Sequence, residues 1–183
     1  MASTGSLFAS AGTQTAALRA GGGPSPAATE EYDGTSWTAG GNLGTGRTDL
    51  SGCGTQTSAL AFGGNVPSGN GNKTEEYDGS SWTSGGNLNT AREQLAGAGL
   101  QTSALAIGGS LEPPPVAATE AYNGTSWSNE TSLATARKVP GAAGASNTSA
   151  LAFGGLLPSN ANTAVTEEFT GAGDPLTKTV TGS

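Results

Sequence analysis

Histidine is absent from this 183-residue chain, and cysteine occurs once, as Cys53. The first absence removes the commonest general base, the Ser-His-Asp and Cys-His nucleophile arrangements, and nearly every zinc site. A single thiol excludes an intramolecular disulfide. Charge is sparse: 7 Lys and Arg against 14 Asp and Glu leave a net charge of −7. Nucleic acid is gripped by clustered cations, and here they are scattered, so no nucleic-acid partner is expected. No apolar run approaches the roughly 18 residues of a membrane-crossing helix. The opening MASTGSLFAS has neither a basic head nor a long apolar stretch, so neither a secretory signal nor membrane insertion is expected. No phosphate-cradling loop sits between a strand and a helix, and no dense Asp motif for calcium occurs. The expectation is no cofactor, no resident metal and no catalytic residue, hence not an enzyme.

What abounds is glycine, with 31 residues, amid Ser, Thr, Ala and Asn. That composition alone would suit a low-complexity linker, but the few aromatics are regularly spaced. Trp37, Trp82 and Trp127 lie 45 residues apart, as do Tyr32, Tyr77 and Tyr122, and Arg47, Arg92 and Arg137. Leu-x-x-Gly-Gly recurs at Leu18 to Gly22, Leu60 to Gly64, Leu105 to Gly109 and Leu151 to Gly155. An acidic segment follows each time, TEEY, TEEY, TEAY and TEEF, beginning at Thr29, Thr74, Thr119 and Thr166.

Each copy reads as four short strands. The first is small and apolar (SLFASAG, DLSGCG, QLAGAG, VPGAAG), and the second is AALRAGG or SALAFGG-like. The third is the acidic segment. The fourth centres on each Trp and, in the last copy, on Val180. Asp33-Gly34, Asp78-Gly79 and Asn123-Gly124 between the third and fourth strands are hairpin turn signals, because these pairs readily take positive φ. Four strands in a 40- to 50-residue repeat are the pattern of a propeller blade. The expected fold is an all-β, four-bladed β-propeller with four antiparallel strands per blade. It forms a single domain over 1–183, with blades near 1–47, 48–92, 93–137 and 138–183. Small residues on the innermost strand suit a narrow axis and favour a closed ring, with blades one and four meeting through side-chain packing. Two chains forming an eight-bladed ring is the alternative.

The order of double glycine, Tyr, Trp and Arg resembles the kelch repeat over nearly the whole chain, although this sequence is far richer in Ala, Gly and Thr. The wording CGTQTSALAFGG from Cys53, TEEYDGTSW from Thr29, and the Leu-x-Thr-Ala-Arg segments ending at Arg92 and Arg137 resembles repeats in structural proteins of marine bacteriophages. That resemblance implies a non-enzymatic module of a virion, in a tail or other surface position. It would contact a host-surface glycan or other virion proteins, in a virion or extracellular setting, with a homo-oligomer as one form. A free glycan-binding lectin and a purely structural subunit of a multimeric assembly are the alternatives.

Two sets of residues stand out. Trp37, Trp82 and Trp127, with Tyr32, Tyr77 and Tyr122, are expected to pack between blades. Burying one Trp removes roughly 150–250 Å² from water, worth at most about 4–6 kcal/mol. Glu30, Glu75, Glu120 and Glu167 recur with Arg47, Arg92 and Arg137, so Glu–Arg pairs or Arg–backbone bonds between blades are expected, since an unpaired buried charge is costly. The fourth blade lacks the Arg, which leaves one Glu without an evident partner except Lys178. Arg19 stands where the other copies have Ala61, Ala106 and Ala152, and reads as a contact with the fourth blade or an exposed edge.

The second set lies in the loop between the glycine pair and the acidic strand, which has 6, 9, 9 and 10 residues in successive copies. Like loops of successive blades emerge on one side, and variable loops on a constant scaffold are where recognition residues usually sit. The candidate binding residues are Pro24 and Ser25, then Asn65, Asn70, Asn72 and Lys73, then Glu112, and finally Leu156, Leu157 and Asn160. Loops drifting for want of constraint is the competing account.

Overall fold

The computed structural model describes residues 6–24, 26–111, 114–170 and 176–179. Four antiparallel sheets of four strands form a four-bladed β-propeller, each sheet running in chain order from its innermost to its outermost strand. Blade one contains β1 (Ala9–Thr13), β2 (Ala16–Ala20), β3 (Thr29–Tyr32) and β4 (Trp37–Ala39). Blade two contains β5 (Ser51–Thr55), β6 (Ser58–Phe62), β9 (Thr74–Tyr77) and β10 (Trp82–Ser84), with a small hairpin of β7 (Asn65–Val66) and β8 (Gly69–Asn70) in its loop. Blade three contains β11 (Ala96–Leu100), β12 (Ser103–Ile107), β13 (Thr119–Tyr122) and β14 (Trp127–Glu130). Blade four contains β15 (Gly141–Ser146), β16 (Ser149–Phe153), β17 (Val165–Thr170) and β18 (Leu176–Thr179). The fourth strand expected around Val180 is described over Leu176–Thr179, and Val180 lies outside the described residues. No helix long and apolar enough to cross a membrane occurs among the described residues.

The alternation of the second strand explains the packing. In Ser-Ala-Leu-Ala-Phe, successive side chains point to opposite sides of the sheet, so Leu and Phe share one side and the two Ala the other. Leu60 and Phe62 of blade two meet Ala104, Ala106, Tyr122 and Trp127 of blade three in one apolar cluster. The same arrangement joins blade one to two and blade three to four. Small residues on the receiving side let the Tyr and Trp of that blade close over the incoming Leu and Phe. Phe62 and Trp127 meet edge to face with ring centroids 4.9 Å apart, a geometry that aromatic quadrupoles favour.

Three such junctions form, not four. β1 packs along β5, β5 along β11 and β11 along β15, but no comparable contact joins β15 to β1 among the described residues. Packing between blades one and four comparable to the other three junctions is not seen among the described residues. Both blades still face the axis: Ala11, Cys53, Ala98 and Ala143 line one cleft of about 440 Å³ with the glycines of their strands.

Candidate functional site

The turns joining first to second and third to fourth strands lie at one end of the blades. The variable loops and the blade-to-blade connections lie at the other, since antiparallel strands alternate in direction. Each variable loop is closed by the same bond. The first glycine of each pair donates its N–H across the loop base: Gly21 to Ala28 (2.9 Å), Gly63 to Lys73 (3.0 Å), Gly108 to Ala118 (2.9 Å) and Gly154 to Val165 (3.1 Å). These glycines have φ between 60° and 74°, where a Cβ is strained. The second glycine of the first three pairs donates to the backbone carbonyl of Arg47, Arg92 or Arg137.

Beneath the loops lies a layer of buried ion pairs. Arg47 reaches Glu75 of the next blade at 3.0 Å, Arg92 pairs with Glu120, and Arg137 pairs with Glu167. Each guanidinium also donates to backbone carbonyls at the loop bases: Arg47 to Lys73 (2.7 Å), Arg92 to Gly108 (2.9 Å) and Arg137 to Val165 (2.9 Å). The carboxylates accept backbone N–H bonds from the preceding blade, as Glu75 does from Gly44 (2.6 Å) and Glu120 from Asn89 (2.7 Å). Burial lowers the affinity of all three arginines for their proton; for Arg47 and Arg92 the paired carboxylate opposes that shift.

Because every Arg serves the following blade, Glu167 is paired and the unmatched carboxylate is Glu30 of blade one. Its partner is Arg19, at 2.7 Å and nearly fully buried. Arg19 is thus not an exposed edge. The side chain of Lys178 lies outside what is described.

The aromatic positions bind neighbours similarly. Trp82 Nε1 donates to Thr29 Oγ1, and Trp127 Nε1 to Thr74 Oγ1, both at 2.9 Å and both from one blade to the previous one. The Tyr77 and Tyr122 hydroxyls donate to Glu31 and Glu76 of the preceding blade. Burial, with the adjacent carboxylate, pushes both phenols up to about 12. Tyr32 stacks on Trp37 at 5.2 Å within blade one, and Trp37 makes no hydrogen bond among the described residues. Burial likewise pushes the Cys53 thiol up to about 12, so it is an inert packing group. At the turn end, Asp78 is held down to about 2, first by the backbone N–H of Ser81 and then by Ser80, and Asp33 is lowered by Ser36 and Thr35. Both carboxylates are occupied in shaping their own hairpins.

The candidate binding residues divide on this frame. Asn65 is committed to structure: its Nδ2 donates to Glu93 at 2.8 Å, and its backbone pairs with Thr48. Asn72 donates to the Leu88 carbonyl at 3.3 Å. Leu156 pairs through its backbone with Lys138, and Leu156 and Leu157 are half-buried. Pro24, Asn160 and the Lys73 side chain are exposed. Asn70 belongs to β8, and Ser25 and Glu112 lie outside the described residues. The loops share one end of the molecule. A cleft of about 180 Å³ is lined by Leu7, Asp49, Gln94 and Val139 with their neighbours, which lead into the innermost strands. These four residues are equivalent in the repeat, and all have φ between 53° and 61°.

Sequence reading missed one further feature, the uncovered side of blade four. Leu151 is 37% and Phe153 45% exposed, and beside them opens a cleft of about 410 Å³ that Leu151, Ala150 and Phe169 line. The signal was present in the repeat: a Leu and Phe side needs a blade against it, and among the described residues none covers Leu151 and Phe153.

No protein-family model matches the chain, and no curated protein matches it.

Proposed function

We propose that the chain is a non-enzymatic binding and assembly module, a rigid propeller that displays variable loops at one end. The observation that carries this is how length variation is insulated. Each loop changes length above a base that a glycine N–H closes, and in blades two to four an arginine also holds it. The scaffold below is nearly invariant. Ligand recognition would fall to the exposed loop residues Pro24, Lys73 and Asn160, together with Ser25, Asn70 and Glu112. The likeness of the repeat wording to kelch and marine bacteriophage structural proteins supports placing the module on a virion surface, where it attaches to host glycans or neighbouring subunits.

The test is binding of the purified chain to a panel of glycans and bacterial envelope fractions, alongside a variant whose four loops are replaced by short Gly-Ser turns. Binding that disappears in the folded variant supports recognition through the loops. Binding that persists unchanged refutes it. A structural-subunit role is the second reading, favoured by the exposed Leu151 and Phe153.

A further inference from the structure

Within the chain, one junction is repeated three times, and its two halves remain unfilled at the two ends. Leu60 and Leu105 are each 1% exposed, and Phe62 and Ile107 are fully buried, because the next blade covers them. Their counterparts in blade four, Leu151 and Phe153, are the exposed pair described above. Blade four presents the donating half with nothing on it.

Blade one presents the receiving half, and its unused groups match. Gln56 Nε2 clamps the preceding blade through the carbonyls of Ala17 (3.2 Å) and Tyr32 (2.7 Å). Gln101 does the same to Ala59 (3.0 Å) and Tyr77 (2.8 Å). Gln14, at the same register, is exposed and forms no hydrogen bond among the described residues. The carbonyls it would reach in blade four belong to Ala150 and Phe169, which line the open cleft. Likewise Trp37 lacks the threonine that Trp82 and Trp127 find, and the matching residue in blade four is Thr166. A chain of backbone bonds also runs from blade to blade: Asp49 N–H to Leu7 (2.8 Å), Gln94 N–H to Asp49 (2.9 Å) and Val139 N–H to Gln94 (2.7 Å). Among the described residues it stops with the Leu7 N–H at one end and the Val139 carbonyl at the other.

We propose that blade one of a second copy of this chain covers blade four, so that Phe153 packs on the partner copy's Trp37 position and Gln14 clamps the carbonyls at the open cleft. The occupant is a second copy because the covering surface must carry small residues, Tyr, Trp and a free Gln in this register, and blade one does. The chain's own blade one does not fill this place, since no β15–β1 contact comparable to the other three forms among the described residues. A head-to-tail contact closes when the rotation allows. Two copies, each giving one half of each kind, form the smallest ring that covers both, with eight blades.

The test is sedimentation of the full chain over a range of concentrations, with Phe153→Asp and Gln14→Glu variants. Both substituted side chains are exposed within one copy, so circular dichroism should show each variant folded. The expected result is twice the monomer mass for the unsubstituted chain. Either variant should raise the dissociation constant roughly thirtyfold or more. Mixing the two should restore a heterodimer, because a chain with a spoiled blade-four face keeps a sound blade one, and the reverse. A monomer at all concentrations overturns the proposal, as does a dimer indifferent to both substitutions or one that mixing fails to restore. None of these residues lies in the variable loops, so failure here leaves the loop-binding reading standing.

Discussion

Arg19 and Glu30 face each other across β2 and β3 of the same blade, 2.7 Å apart, whereas the other three arginines reach their glutamates from the preceding blade. The difference has a simple origin. Arg47, Arg92 and Arg137 each stand four residues ahead of an innermost strand, and the residue in that register ahead of β1 is Gly5. The guanidinium that blade one requires is supplied instead from the alanine position of its second strand, and Phe8 lies against it with 5.6 Å from Cζ to the ring centroid.

Arg19→Ala restores the residue found in the other copies and should nonetheless destabilise the fold. Removing one partner of a buried pair leaves the other charge uncompensated, which costs about 3–5 kcal/mol. Urea unfolding should show that loss, and adding Glu30→Gln should recover part of it. A neutral Arg19→Ala would refute the pairing.

Thr119 tests the Trp–Thr rule by its exception. Its hydroxyl is buried without a partner, because Thr29 and Thr74 are served by the Trp of the next blade and the sequence has no Trp after Trp127. Thr119→Val removes an unsatisfied buried group and should be neutral or stabilising. Thr74→Val leaves the Trp127 N–H unpaired and should cost about 1–3 kcal/mol. Thermal unfolding of the two variants should therefore shift in different directions or by clearly different amounts.

Alkaline pH should loosen the first two blade junctions in a definite window. Tyr77 and Tyr122 are raised from 10.0 to about 12, so the folded protein holds their protons where the unfolded chain has released them. Their contribution is complete below pH 10 and is lost as pH rises toward 12. Phenolate absorbance should show Tyr77 and Tyr122 titrating late, with stability falling over the same interval. Tyr77→Phe should reduce that dependence.

Gly63→Ala probes the closure of the loop base. The position has φ of 66°, and a Cβ there would lie 2.7 Å from the Arg92 carbonyl oxygen. Backbone strain of about 1–3 kcal/mol and displacement of the Arg92 segment should lower the melting temperature. The same substitution at Gly154, where the nearest atom is 3.7 Å away, lacks the clash and should cost less.

Blade number, strand order and the turns were legible in the chain, because they depend on local alternation and on a 45-residue period that any copy shows against the others. The roles of Asn65 and Asn72 were not. Both sit in a loop of variable length and read as free recognition groups, yet their amides are tied to Glu93 and Leu88, contacts that depend on how the loop returns to its base. Nor was the partner of each glutamate legible, since a repeat places Arg and Glu at fixed positions without saying which copy's Arg reaches which copy's Glu.

What the sequence by itself determined is the unit: a four-stranded blade with a Leu and Phe side, an Ala, Tyr and Trp side, and a glycine-closed loop. Those features follow from residue alternation and backbone preference within about 45 residues. What only the tertiary structure decided is how the units end. Leu151 and Phe153 are the same residue types as the buried Leu60 and Phe62, and they differ only in having no blade against them. Burial belongs to a pair of surfaces, and the second surface is set by the curvature of the whole array, which no single repeat encodes.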